Sequence, residues 1–158
     1  MPRTLIAGFG NVLRGDDGFG VEVIRRLEEA ELLGDDVELM DVGTGGIRLA
    51  QELLAAYDRL IIVDAMARGG APGSVYVLEV ESVDSVTEVD LHLATPSRAL
   101  SVAKALGALP GQVFLVGCEP AEVEELTTEL TPPVRAAVDT AIRRIHDLVA
   151  AGAGEPRG

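Results

Sequence analysis

Acidic residues stand where short apolar runs give way to turns. Asp16 and Asp17 lie between Gly15 and Gly18, Asp41 follows Val37 to Met40, and Asp64 follows Leu60-Ile61-Ile62-Val63. Brought to one place, such carboxylates repel each other, and loss of water raises that cost. A cation at their centre would offset it. His92, between Leu91 and Leu93, is the histidine placed to join them. His146 falls in line with Asp139 and Arg143 on the polar side of a helical pattern and reads as a solvated surface residue. Two carboxylates and one imidazole with open positions suit a borderline divalent ion, nickel or zinc, and leave room for water or a substrate atom. Each residue also has an ordinary role open to it. Aspartate at a strand end caps a helix or closes an Asx-turn, and a histidine flanked by leucines is often merely packed.

The elements that must position these residues alternate along the chain. Leu5-Ile6-Ala7 reads as a strand stopping at Gly8, then a loop through Gly18, then a helix with Val21, Ile24 and Leu27 on one face. A second strand covers Val37 to Met40. The helix after it is expected to bury Ile47, Ala50 and Leu54. Leu60 to Val63 is continuously apolar, as in a strand covered on both faces. Val75 to Val80 alternates and is expected at an edge, with either a parallel or an antiparallel course open to it; residues 81–94 lack periodicity. A helix with Ala99, Val102, Ala103 and Leu106 on one face precedes a buried strand, Val113 to Gly117. The last helix is expected to start near Thr131 and Pro132 and to run a stripe from Val134 to Val149. The pattern is that of one α/β domain over residues 1–150 with a mostly parallel sheet, followed by a flexible tail at 151–158. In such sheets ligands bind beyond the carboxyl ends of the strands, the edge to which the three acidic positions belong.

Composition narrows the functions. The chain has 158 residues, of which 47% are hydrophobic and 3% aromatic, so the core is aliphatic. A net charge of -13 disfavours nucleic acid and anionic lipid surfaces. No apolar run of about 18 or more residues and no signal-peptide pattern occurs, and the single cysteine, Cys118, precludes an internal disulfide. A soluble cytoplasmic protein without a membrane partner is expected. Cys118, after an apolar strand, reads as a small core residue, and a Cys118–His92 pair has no supporting motif. Neither a G-x-S-x-G elbow nor an H-E-x-x-H pair is present. Gly8-Phe9-Gly10 begins like a dinucleotide fingerprint, but the third glycine is absent at Leu13 and the acids that follow would repel a pyrophosphate.

The segment Gly8-Phe9-Gly10-Asn11-Val12-Leu13-Arg14-Gly15-Asp16-Asp17-Gly18-Phe19-Gly20-Val21 resembles the opening signature of the hydrogenase maturation endopeptidases. Asp41-Val42-Gly43-Thr44 is similar to the family's D-G-G-T turn, with Val42 in place of the first glycine. Ile61-Ile62-Val63-Asp64-Ala65, Pro72-Gly73, the segment around His92, Leu115-Val116-Gly117 and Leu130-Thr131-Pro132 follow in family order. The resemblance implies a three-layer fold, a twisted five-stranded sheet packed between helices. It implies an endopeptidase that removes the C-terminal extension of a nickel-iron hydrogenase large-subunit precursor after nickel insertion. By the same resemblance Asp17, Asp64 and His92 would be the metal ligands, with nickel supplied by the substrate rather than tightly held by the protease. Asp41 matches a position implicated in activity, so Asp17, Asp41 and Asp64 form the expected catalytic set. A noncatalytic nickel-binding chaperone and a nucleotide-binding module are the competing readings, and the oligomeric state is open.

Overall fold

The computed structural model describes residues 2–30, 33–80 and 94–154. Strand β1 (Thr4–Phe9) leads through a 3-10 turn (Gly15–Gly18) into helix α1 (Phe19–Ala30). Strand β2 (Val37–Gly43), helix α2 (Ile47–Glu52), strand β3 (Arg59–Ala65) and strand β4 (Val75–Glu79) follow. Helix α3 (Ala94–Ala105), strand β5 (Gln112–Cys118) and helix α4 (Pro132–Gly154) complete the described chain. The five strands lie in the order β2-β1-β3-β5-β4, with β4 antiparallel to β5 and the other pairs parallel.

Strand alternation divides the core between the two faces of the sheet. On one face Leu5, Ala7, Leu60, Ile62, Val113 and Leu115 pack with Leu49, Ala50 and Leu53 near α2 and with Ala99, Leu100 and Ala103 of α3. On the other, Ile6, Ile61, Val63 and Val116 pack with Val23, Ile24 and Leu27 of α1 and Val134, Val138 and Ala141 of α4. Helices thus cover both sides, which is why β1 and β3 are buried along their whole length. The expected three-layer α/β architecture, including the antiparallel edge strand, is the observed one.

Some details differ from the expectation. Ile47 and Leu54 are exposed, and Leu49, Ala50 and Leu53 turn inward. Leu49 and Leu53, four apart, share the buried face with Ala50, while Ile47 and Leu54, seven apart, share the exposed one. Leu106 is also exposed. Helix α3 has ended by then: Gly107 has φ +70 and donates to the Lys104 carbonyl, while the Ala108 amide reaches the Ala103 carbonyl. Those bonds close the helix and leave Leu106 beyond its apolar face. Helix α4 continues to Gly154, four residues past the expected boundary, and His146 is half-buried rather than fully solvated. The expected position of His92 lies outside the described residues.

The site edge is fixed by one close approach. A Cβ added to Gly20 would stand 2.2 Å from the Val63 carbonyl oxygen and 2.5 Å from that of Phe9. A Cβ on Gly8 would meet the Gly20 carbonyl oxygen at 2.5 Å. The start of α1 therefore rests directly on the ends of β1 and β3, backbone against backbone, and a side chain at either glycine would push helix and sheet apart.

Candidate functional site

The loop after β1 is shaped by its own polar groups. Gly10 has φ +135, a conformation that L side chains rarely adopt, and its amide donates to the carbonyl of Gly43, the last residue of β2. The Asn11 side chain accepts from the Leu13 amide at 2.9 Å, an Asx-turn that starts the reversal. The Asn11 amide in turn donates to Asp17 Oδ2 at 3.0 Å. Asp17 is half-buried, and among the described residues its other carboxylate oxygen accepts no hydrogen bond.

Asp64, in the last turn of the β3 ladder, reaches the same place. Its residue is buried, and Oδ1 accepts from the Ala65 amide at 2.8 Å. Gly10 lies between the two residues: the Asp17 carboxylate is bonded to the amide of the next residue, Asn11, and a Cβ at Gly10 would stand 1.9 Å from the Asp17 backbone carbonyl oxygen and 3.7 Å from Asp64 Oδ1. Beside them lies a cavity of about 70 Å³ lined by Asp17, Ala65, Ala67, Pro120 and Val123. Acids from the first loop and from the third strand are thus neighbours at the carboxyl edge of the sheet. Asp41, paired with Gly8 in the β1–β2 register, sits at the same edge but exposed. No hydrogen bond joins it to Asp17 or Asp64 among the described residues.

Asp16 does something else. It is fully buried and turned away from solvent. Its Oδ2 accepts from the Ala121 amide at 2.8 Å, the Glu122 amide at 3.0 Å and the Thr131 hydroxyl at 2.8 Å; Oδ1 accepts from the Thr131 amide at 2.7 Å. Adjacent backbone bonds reinforce the join: the Asp16 amide donates to the Glu122 carbonyl and the Gly15 amide to that of Thr127. Asp16 therefore clamps the first loop to the segment between β5 and α4. Thr131, expected as a helix cap, gives its hydroxyl proton to this clamp.

Glu119, which the sequence reading passed over, follows β5 at the same edge. Its Oε1 accepts from the Tyr76 hydroxyl at 2.6 Å and from the Arg68 and Gly70 amides at 2.8 and 3.0 Å. Burial alone would push its carboxyl upward, but those donors outweigh it and hold the group below the usual carboxylate range. The same bond raises the Tyr76 hydroxyl, because ionising it would place two anions together. The signal was available: an acid directly after a buried strand, the criterion that picked out Asp41 and Asp64.

Cys118 is fully buried, and desolvation, with Asp16 adding a negative charge nearby, pushes its thiol up to about 12. A thiol so rarely ionised is a poor nucleophile. The folded protein should resist iodoacetamide at about pH 8, reacting only after unfolding, and this can be followed by intact mass. Fast labelling of the native state would show the site to be open.

Comparison with known proteins agrees with this architecture. The family model described as hydrogenase maturation protease matches residues 21–148. The hydrogenase expression/formation protein HupD of Rhizobium leguminosarum bv. viciae is 37% identical, over 99% of this chain and 81% of that protein. The hydrogenase 2 maturation protease of Escherichia coli K12 is 34% identical, over 90% of this chain and 88% of its own length. Among solved structures, the hydrogenase maturating endopeptidase HybD from E. coli superposes with a TM-score of 0.83 at 32% identity, covering 95% of this chain and 93% of that one. Matches of this extent, on a fold with the same five-stranded sheet, mean that the chain belongs to the hydrogenase maturation protease family.

Proposed function

We propose that this protein is a metal-dependent, aspartic-type endopeptidase that removes the C-terminal extension of a nickel-iron hydrogenase large-subunit precursor. In this reading it acts in the cytoplasm, after nickel insertion. The ion arrives as part of the substrate, and Asp17, Asp64 and His92 meet it there. The observation that carries the reading is the convergence of Asp17 and Asp64 around Gly10, beside a cavity open to a ligand. Family membership supports the protease activity itself.

Two carboxylates at one edge of the sheet gain from a cation, so a precursor bearing nickel binds better than one without it. Cleavage is thereby coupled to metal loading. A divalent ion near the scissile bond polarises its carbonyl or activates water, worth several kcal/mol in metal catalysis generally. Asp41, exposed at the end of β2, is placed to orient the cleaved segment or to take part in proton transfer.

The direct test mixes the protein with large-subunit precursor, nickel-loaded or nickel-free, and follows product mass. Shortening of the loaded precursor alone is expected. Equal shortening of both would overturn the nickel requirement, and shortening of neither would overturn the endopeptidase assignment.

A further inference from the structure

Next to the cavity the molecule exposes apolar side chains that its own fold does not use. Val12 is 45% exposed, Leu13 58% and Leu126 82%. Single exposed leucines are commonplace, but these belong together. Arg14 and Thr127 form a parallel bridge, the Thr127 amide donates to the Leu13 carbonyl at 3.0 Å, and the Gly15 amide donates to the Thr127 carbonyl at 2.9 Å. That register sets Leu13 beside Leu126. The Asp16 clamp fixes both segments from below, so the apolar edge is held rather than frayed.

Its charge surroundings are one-sided. Glu122, Glu124, Glu125 and Glu129 share the second segment, and across 10–18 and 119–131 Arg14 is the only base. Val123, from the same segment, lines the cavity with Asp17. A partner held on this edge is therefore held at the mouth of the site.

We propose that Val12, Leu13 and Leu126 form the docking surface for the precursor protein, receiving an apolar side chain of the precursor flanked by basic residues. This rests on the protease reading above and adds where the substrate is gripped. Apolar contact supplies affinity, while the glutamates of the second segment steer a basic surface toward it. A second copy of this chain is disfavoured as occupant, because it would bring the same acids and a net charge of -13 against them. Preorganised loops keep the ordering cost of such a contact small.

The test compares wild type with two variants, Leu13→Ser/Leu126→Ser and Glu124→Lys/Glu125→Lys, in processing of nickel-loaded large-subunit precursor. For the serine variant KM should rise about tenfold or more with kcat within about twofold, and the unfolding midpoint should not move. The lysine variant should raise KM at low salt, with the difference from wild type shrinking at about 0.5 M salt. Unchanged KM in the serine variant, while wild type processes normally, would reject the docking surface alone. A loss carried by kcat would reject it as well. Sedimentation showing a wild-type dimer that the serine variant dissolves would assign the edge to a second copy instead. Wild type that fails to shorten the precursor would remove the protease reading and the docking surface together.

Discussion

Asp64→Ala and, separately, Asp17→Ala should each slow processing of nickel-loaded precursor by about a thousandfold, equivalent to about 4 kcal/mol of lost transition-state stabilisation. The expectation follows from position. Asp17 comes from the turn after β1 and Asp64 from the end of β3, on either side of Gly10–Asn11, and neither can substitute for the other at a shared ion. The Asp17 carboxylate accepts from the Asn11 amide within its own loop, so the fold of Asp17→Ala should survive. Asp64→Asn is the sharper control, since it keeps shape but replaces an anionic oxygen ligand with a neutral amide. It should be nearly as impaired as alanine. Product mass gives the rate and thermal unfolding gives the integrity of the fold. Cleavage at the wild-type rate by any of these variants would reject the assignment of these acids to the reaction.

The second large effect is one of stability rather than chemistry. Asp16→Ala leaves the Ala121, Glu122 and Thr131 amides and the Thr131 hydroxyl without their acceptor. Partly buried donors deprived of a partner cost about 1–3 kcal/mol each when water cannot replace it, and some of that is recovered by relaxation. A net loss of about 3 kcal/mol is expected in denaturant unfolding, with activity falling because the segment carrying Val123 and Pro120 separates from Asp17. Asp16→Asn should lie between wild type and alanine. An amide oxygen in the Oδ2 position keeps three donors satisfied, while its nitrogen would face the Thr131 amide, donor against donor. Stability of Asp16→Ala within about 0.5 kcal/mol of wild type would mean that the clamp is dispensable.

Much of this architecture was readable in advance because its signals are local. The unbroken apolar run Leu60 to Val63 and the alternating Val75 to Val80 announced a buried strand and an edge strand, and both are present. The acids at the strand ends pointed to the carboxyl edge of the sheet, where Asp17 and Asp64 both stand. Helix α2 was misread at Ile47 and Leu54 because two apolar stripes are available there: Ile47 and Leu54, seven apart, share one face, and Leu49, Ala50 and Leu53 share the neighbouring one that is buried. The division of labour between adjacent aspartates was not readable. Asp16 and Asp17 are the same residue type one position apart, and what separates them is contact with amides 105 to 115 residues further along the chain. Periodicity carries no information at that range.

One topological detail shapes what the carboxyl edge can hold. Had β4 run parallel to its neighbour, the chain leaving β3 would have crossed to the opposite end of the sheet, usually through a helix, before starting the next strand. Because β4 runs the other way, residues 66–74 turn back where they are. That hairpin-like return supplies Ala67 as a wall of the cavity and presents the Arg68 and Gly70 amides to Glu119. A single reversed strand thus spares the enzyme a crossover and converts the spare length into enclosure.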